Sequence, residues 1–579
     1  VRDKLEQLVR DALQLLAERD GPAELADLDP GIERARDPEH GDFASNVALR
    51  AAKLAGKPPR ELGQAIIDCL QENPYVGATE LAGPGFINFR LAADAHHETI
   101  RAIDSQGSDY GRSQPGSRGR VLVEYVSANP TGPLHVGHGR HAAYGTSLAE
   151  ILRAAGFTVD EEYYVNDAGR QMDILAASVW LRYAERHDVA ITFPPNCYQG
   201  DYVGETGARL VEEHGQDLLG DIDAVTSAMQ QFGDDGEENL DLLIATLKVA
   251  LGDASFASIL KEALGEILGD IRNDLEEFGA EPDRWFSERS LIDSGAIDSA
   301  LELLESKDLL YEKDGPTWFR TTEFGDEKDR VVVRENGAPT YFASDIAYHI
   351  DKFERGYDRL INVFGSDHHG YTARVRASVA AAGNDADLLE FRLMQFVVLY
   401  RGNQKVQMTT RGGSYVTLRE LREEVGNDAA RFFFVSRSND QHLDFDLDLA
   451  KAESNDNPVY YVQYAHARVA SMLDRPESAR PNASEVDLGK LSTDAERDLM
   501  RLLGRYPEVV ELAANSRAPQ HVVHYLRDLA AVFHAYYNAH RVLVDDAGLR
   551  DARVMLATAT QQVIRNGLGL LGVSAPDKM

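Results

Sequence analysis

The stretch from Val121 to Arg140 reads V-L-V-E-Y-V-S-A-N-P-T-G-P-L-H-V-G-H-G-R. Its first six residues are valine-rich and have strand character. Asn129-Pro130-Thr131-Gly132-Pro133 then breaks the strand, because proline lacks an amide donor and glycine frees the backbone. His135-Val136-Gly137-His138 follows and opens onto H-A-A-Y-G-T-S-L-A-E-I-L-R-A-A-G, an alanine- and leucine-rich run of helical character. Strand, tight turn and helix N-terminus in that order form the unit with which doubly wound α/β folds hold phosphate. Two imidazoles at that point can donate hydrogen bonds to phosphoryl oxygens as charge builds in a transition state. Gly137 lets a ligand approach the backbone closely. The tetrapeptide alone is also compatible with an ordinary turn bearing surface histidines.

The chain's 579 residues are too many for one core and point to three or four domains. With 43% hydrophobic and 27% charged residues, the composition is that of a globular protein. No run of about 18 apolar residues stands out, so no membrane span is expected. The opening V-R-D-K-L-E-Q-L-V-R reads as an amphipathic charged helix rather than a signal peptide. Cys69 and Cys197 are the only cysteines, which excludes a disulfide scaffold or a cysteine-based zinc site, and the chain reads as cytoplasmic. A net charge of −35 argues against indiscriminate nucleic-acid binding but leaves room for an RNA partner met by a local patch.

His135-Val136-Gly137-His138 resembles the H-I-G-H signature of the class I aminoacyl-tRNA synthetases, and the longer S-A-N-P-T-G-P-L-H-V-G-H-G-R resembles the arginyl branch of that family. The resemblance implies a Rossmann-type α/β catalytic domain between an N-terminal α+β domain and a C-terminal helical bundle. It makes His135 and His138 the catalytic imidazoles and places Gly132 and Gly137 against ATP. The expected domains are residues 1–114 (tRNA-contacting), 115–405 (catalytic, with a helical insertion at about 190–290), 406–455 (signature loop and stem contact) and 456–579 (anticodon-binding).

Along the first domain, D-P-E-H-G-D-F-A-S-N from Asp37 is a turn feeding a helix, and A-G-P-G-F-I-N-F from Ala82 is a turn feeding an alternating strand. Both strings resemble the N-terminal domain of arginyl-tRNA synthetases, which implies contact with the outer corner of the tRNA. Phe86 and Phe89 are either stacking platforms for bases or alternating core residues. Gly107–Gly119, rich in glycine and serine, marks the boundary. A strand from Val159 ends at the polar turn Asn166-Asp167-Ala168-Gly169. The acidic, leucine-spaced stretch from Gly200 to about Asp270 reads as a solvated helical insertion. Trp318–Arg334 alternates like antiparallel strands.

T-Y-F-A-S-D-I-A-Y-H from Thr340 reads as a turn before a helix, with Ser344 or Asp345 as its cap. I-N-V-F-G-S-D-H-H-G-Y from Ile361 is a strand ending in Gly365 and a carboxylate, the arrangement that binds a ribose hydroxyl. By resemblance Gly365, Asp367 and His368 hold the adenosine. No metal site is expected, because His368 and His369 would alternate to opposite sides of a strand and no cysteine assists. Arginine presents a planar guanidinium best met by carboxylates. By motif match Asp345 and Tyr341 meet it, with Glu124 and Gln171 nearby, and Ser127 and Asn129 hold the backbone end of the amino acid. A neutral analogue would leave buried carboxylates unpaired.

From Asn427 onward the pattern reads as helical, leading to V-Y-Y-V-Q-Y-A-H-A-R-V from Val459. Its aromatic residues are core by spacing; the resemblance instead sets Tyr461, Tyr464, His466 and Arg468 against the tRNA, with Phe86 as the contact from the first domain. The second family signature, K-M-S-K-S, is replaced by Gln407-Met408-Thr409-Thr410-Arg411, without either lysine. Some arginyl enzymes that lack the second lysine carry one just before the first signature, but Gly132 stands there. Met408 is expected at the nucleotide and Arg411 at its phosphates. The implied reaction consumes L-arginine and ATP with Mg²⁺ and charges tRNA(Arg), in a protein expected to be monomeric.

Overall fold

V-L-V-E forms the body of the strand Arg120–Glu124, whose side chains from Val121 to Glu124 are all buried. In the computed structural model, which describes residues 1–19, 21–35, 37–402, 404–406, 416–475, 481 and 484–579, this strand is the middle of a five-stranded parallel sheet. The order across the sheet is Leu389–Met394, Arg359–Gly365, Arg120–Glu124, Thr158–Val165, Arg284–Ser287. The chain builds outwards from Arg120–Glu124 in one direction, then returns to add Arg359–Gly365 on its other side. The order therefore reverses between those two strands, and the crevice at their carboxyl ends is where such sheets take ligands.

The strand is shorter than the apolar run. Val126 and Ser127 take left-handed φ values of 65° and 41°, a conformation costly for a β-branched residue, and turn the chain out of the sheet two residues early.

Helices Arg2–Arg19, Val47–Ala55 and Pro59–Cys69 pack on a four-stranded antiparallel sheet to form the N-terminal unit, with Leu5, Leu13, Phe43, Ile66 and Phe89 in its core. Ion pairs Arg34–Glu508 (2.6 Å) and Arg501–Asp42 (2.7 Å) tie it to the C-terminal bundle, which comprises Pro458–Leu473, Asp494–Leu503, Tyr506–Ser516, Gln520–Ala539 and Ala547–Leu570.

The insertion is helical as far as Glu277, with helices Asp201–His214, Ile222–Met229 and Gly236–Glu277. Its far end, however, contributes the edge strand Arg284–Ser287, four residues too short to show a pattern in sequence. By length and composition Gly236–Glu277 is apolar enough to cross a membrane, which the sequence reading did not anticipate. Gly252 (φ 73°, ψ 159°) breaks it into two segments, and Leu243, Leu247, Ile259, Ala263 and Ile271 are buried against the rest of the protein.

Thr317–Phe319 and Arg330–Val333 pair antiparallel as the alternation predicts, and Leu310–Glu312 adds a third strand. The region beyond Asn427 is not wholly helical. Leu443–Asp446 is a strand parallel to Val397–Arg401, with Leu443 and Phe445 inward and Asp444 outward, a two-residue period hidden among helical neighbours.

Candidate active site

The turn after Arg120–Glu124 is held from several sides. Ser127 Oγ donates to Glu124 Oε1 (2.9 Å) and accepts from the Tyr164 amide (3.1 Å), while its carbonyl accepts from Asn166 Nδ2 (3.1 Å). Tyr202 of the insertion donates to the Thr131 carbonyl. His135 is then the N-cap of the helix Val136–Ala154. Its Nδ1 accepts from the amides of Gly137 (3.0 Å) and His138 (3.3 Å), and His138 Nδ1 accepts from the His135 amide (3.3 Å).

The two rings stack with centroids 3.6 Å apart. Burial lowers the basicity of both; His138, with His135 and His141 beside it, lies well below the ordinary histidine value. Both are thus neutral near pH 7, and because each Nδ1 accepts, the proton sits on Nε2. The helix start fixes two neutral N–H donors at the sheet's switch point.

Beside that turn lies an acidic pocket. The helix Tyr341–Glu354 begins at Thr340, so Asp345 stands inside the helix and not at its cap; the Thr340 hydroxyl is instead taken by the Val331 carbonyl (3.0 Å). Asp345 accepts from the Tyr371 hydroxyl, and burial pushes its carboxyl up to about 7 despite that bond. Glu288, 4% exposed, is also pushed up to about 7, by burial and by the nearby Asp345, and its Oε2 is buried without a hydrogen-bond partner among the described residues. Burial, and then the nearby carboxylates of Glu288, Asp345, Glu124 and Asp167, raise the pKa of the Tyr164 hydroxyl.

Glu124 is already compensated, since Lys352 Nζ lies 2.5 Å from its Oε2 and both side chains are sealed from solvent. Lys352 also reaches Asn362 Oδ1 (3.0 Å), Asn362 Nδ2 lies 2.9 Å from His349 Nε2, and His349 Nδ1 lies 2.8 Å from the Asp345 carbonyl. Tyr341 is half exposed at the rim, close enough to Gly169 (φ 84°) that a Cβ there would come within 2.9 Å of its hydroxyl. Asn129 is exposed on the turn after Arg120–Glu124, and Gln171 is exposed in the first turn of the helix Arg170–Glu185.

Comparison with known proteins agrees with this arrangement. Residues 99–194 and 286–453 match the family model described as tRNA synthetases class I (R), catalytic domain; 3–91 match the arginyl tRNA synthetase N terminal domain and 462–579 the DALR anticodon binding domain. The chain belongs to the arginyl-tRNA synthetases. The chain is 54% identical to the arginine–tRNA ligase of Thioalkalivibrio sulfidiphilus over 100% of both chains, and 52% identical to that of Halorhodospira halophila over 96% of both. The Thermus thermophilus arginyl-tRNA synthetase structure superposes with a TM-score of 0.74 at 25% identity, covering 100% of each chain. The catalytic match omits 195–285, the stretch occupied by the insertion helices.

Within the synthetase frame, Gly365 closes the strand Arg359–Gly365, and a Cβ there would meet Asp367 Oδ1 at 2.4 Å, so only glycine lets that carboxylate fold back over the strand end. The strand stops there. Ser366–Tyr371 is a 3-10 turn, so His368 and His369 do not alternate across a strand as the sequence suggested. Gly132 lies in the bend before His135. Met408 and Arg411 lie outside the described residues.

Of the tRNA-facing residues, Phe86 is 39% exposed at the start of its strand while Phe89 is core. Tyr461, Tyr464 and Arg468 are half-buried along one helix face with His534; Tyr464 stacks on that ring at 5.6 Å and Arg468 donates to Asn538 (2.9 Å). His466 does not join them. It is fully buried, with Nδ1 2.9 Å from the Pro576 carbonyl, because the C-terminal tail packs over that side of the helix. Glu288 and Lys352 escaped the sequence reading; a carboxylate in F-S-E-R-S and a lysine two turns beyond Asp345 gain meaning only when three chain segments meet.

Proposed function

We propose that the crevice binds Mg·ATP over the His135–His138 turn and L-arginine in the acidic pocket, and that the synthetase joins them as arginyl-adenylate before charging tRNA(Arg). The observation that carries this reading is the pair of neutral imidazoles at the start of a helix whose Nδ1 atoms are fixed by backbone amides, which puts each ring proton on Nε2. The guanidinium sits between Asp345 and Glu288 beneath Tyr341, since Glu124 already has its cation in Lys352. Glu124 then works through Ser127, shaping the turn where Ser127 and Asn129, together with Gln171 of the helix Arg170–Glu185, hold the amino-acid backbone.

The arginine carboxylate attacks the α-phosphorus in line, the bond to the bridging oxygen breaks, and pyrophosphate leaves with that electron pair. His135 and His138 hydrogen-bond the phosphoryl oxygens as they gain charge, and Gly365, Asp367 and His368 hold the ribose. In the second step the 2′-hydroxyl of the terminal adenosine attacks the acyl carbonyl and AMP leaves. Phe86, Tyr461, Tyr464 and Arg468 are the proposed tRNA contacts, and the enzyme acts as a cytoplasmic monomer. Charging total tRNA with each labelled amino acid in turn tests the reading: only arginine is expected to enter, and incorporation of another amino acid overturns it.

A further inference from the structure

The catalytic family match omits residues 195–285, yet the last turns of the insertion helix Gly236–Glu277 are tied to the segment that flanks the His135–His138 turn. Arg419 Nε donates to Asp274 Oδ1 (2.8 Å), and the same guanidinium meets Asp270. Arg422, three residues on, pairs with Glu277 and donates to the Asp274 carbonyl (3.5 Å). The Asp274 side chain is 1% exposed, and its Oδ2 is sealed with no hydrogen-bond partner among the described residues. A buried ion pair is poor evidence for stability, because desolvation offsets the attraction; it is better explained by what it holds in register. Here it holds the helix Leu418–Val425. The N-cap of that helix, Thr417, bridges His135, the Leu418 amide donates to the Leu134 carbonyl (2.8 Å), and the Val136 amide donates to the Val416 carbonyl (3.3 Å). Leu418 is fully buried against Gly139 of the signature helix, where a Cβ would meet its Cδ1 at 2.6 Å, so the second glycine of H-V-G-H-G admits that leucine. Arg431 adds another tie, donating to the Phe278 carbonyl (2.9 Å) just past the insertion helix and to Thr146 Oγ1 of the signature helix (2.7 Å). Tyr202 donates to the Thr131 carbonyl, so the insertion meets the chain on both sides of His135.

We propose that the insertion braces the His135–His138 turn for adenylate formation, with Asp274 and Arg419 as positioning residues that act through Leu418 on the two imidazoles. This rests on placing ATP at that turn. Neither residue touches substrate. Donors that meet developing charge work only when accurately placed, and a shift of about 1 Å can cost roughly 10²-fold in rate. Loosening the brace therefore lowers kcat for adenylate formation. Ground-state binding of arginine and ATP changes little, because the charge that the Nε2 protons meet develops in the transition state.

The test is arginine-dependent ATP–pyrophosphate exchange by the full chain with tRNA present, each protein assayed well below its melting temperature. Wild type is compared with Asp274→Asn, Arg419→Gln, Arg419→Lys and the double variant Asp274→Asn/Arg419→Gln. Asp274→Asn and Arg419→Gln are each expected to lower kcat about tenfold, with the KM values for arginine and ATP within about twofold of wild type. Arg419→Lys keeps a charge beside Asp274 and should run several-fold faster than Arg419→Gln. The double variant should lose no more than the slower single one, because both substitutions break the same brace. Wild-type kcat in the folded single variants, KM rises without a fall in kcat, or losses that add in the double variant overturn the assignment. If Asp274→Asn does not fold, the partly exposed Arg419 carries the test through its own two variants. His138→Asn serves as the control. If it exchanges at the wild-type rate, the placement of ATP itself fails; if it is impaired while Arg419→Gln matches wild type, only the brace fails.

Discussion

The ammonium of Lys352 lies 2.5 Å from Oε2 of Glu124 and 3.0 Å from Oδ1 of Asn362, beneath the acidic pocket. Lys352 is the buried partner of the Glu124 carboxylate in a sealed site, and it reaches it from the helix that carries Asp345. Lys352→Met should therefore cost about 3–5 kcal/mol by stranding a buried anion, whereas Lys352→Met combined with Glu124→Gln should recover most of that loss. Thermal melting of the four proteins checks it. Losses that simply add would show that the two charges do not depend on each other.

Asp345 carries the second prediction. Asp345→Asn removes one charge from the guanidinium clamp and should raise the KM for arginine at least a hundredfold, matching the loss of about 3–5 kcal/mol for one partner of a buried charge pair. The KM for ATP should move far less. A folded variant with wild-type arginine affinity would reduce Asp345 to the partner of the Tyr371 hydroxyl.

The same pocket predicts a pH dependence. Burial raises Asp345 from 3.8 and Glu288 from 4.5, each to about 7. Protonation competes with the guanidinium, so the KM for arginine should climb as pH falls from 8 to 6 while that for ATP stays nearly level. Stability carries the opposite sign. Without arginine the folded protein binds more protons than the unfolded chain between about pH 4 and 7, so its melting temperature should fall as pH rises through that window. Saturating arginine should oppose the fall. A flat arginine KM across the range would mean that neither carboxyl meets the substrate.

What the sequence disclosed and what it hid follow from how each residue obtains its role. Proline and glycine between Asn129 and Pro133 signal a break after the strand, although it ends earlier at Glu124, and two histidines three apart at a helix start share one face, so the strand–turn–helix unit was legible locally. Asp345 was misread as a cap, because Thr340 can also start a helix and local pattern does not choose between them. Glu288 was invisible. A lone glutamate is usually solvated, and only the junction of the Arg284–Ser287 strand with Asp345 and Tyr164 buries it. His466 failed in the other direction: its spacing matches its aromatic neighbours, but the tail near Pro576 decides which face is covered.

The last prediction concerns the lysine-free second signature. The loop containing Arg411 re-enters the described structure at Val416, whose carbonyl accepts from the Val136 amide (3.3 Å), and the Leu418 amide donates to the Leu134 carbonyl (2.8 Å). His135 and Thr417 form a backbone bridge between them, so the loop's far end is anchored to the turn proposed to receive ATP. Arg411 stands five positions before Val416 in the sequence and lies outside the described residues; we propose that it meets the β and γ phosphates. Thr409 and Thr410 offer hydroxyls but no charge, whereas a guanidinium clamps phosphate bidentately and stays ionised. Lys405 lies on the exposed strand Gln404–Lys405 before the loop and is proposed to share the remaining load with Mg²⁺. Arg411→Ala should lower the rate of adenylate formation roughly 10²-fold, about 2.7 kcal/mol of transition-state stabilisation. Transfer from preformed arginyl-adenylate to tRNA should hardly change, because pyrophosphate has already left. Single-turnover measurement of each half-reaction decides it: equal losses in both steps, or none in the first, would return Arg411 to a surface ion pair of little consequence.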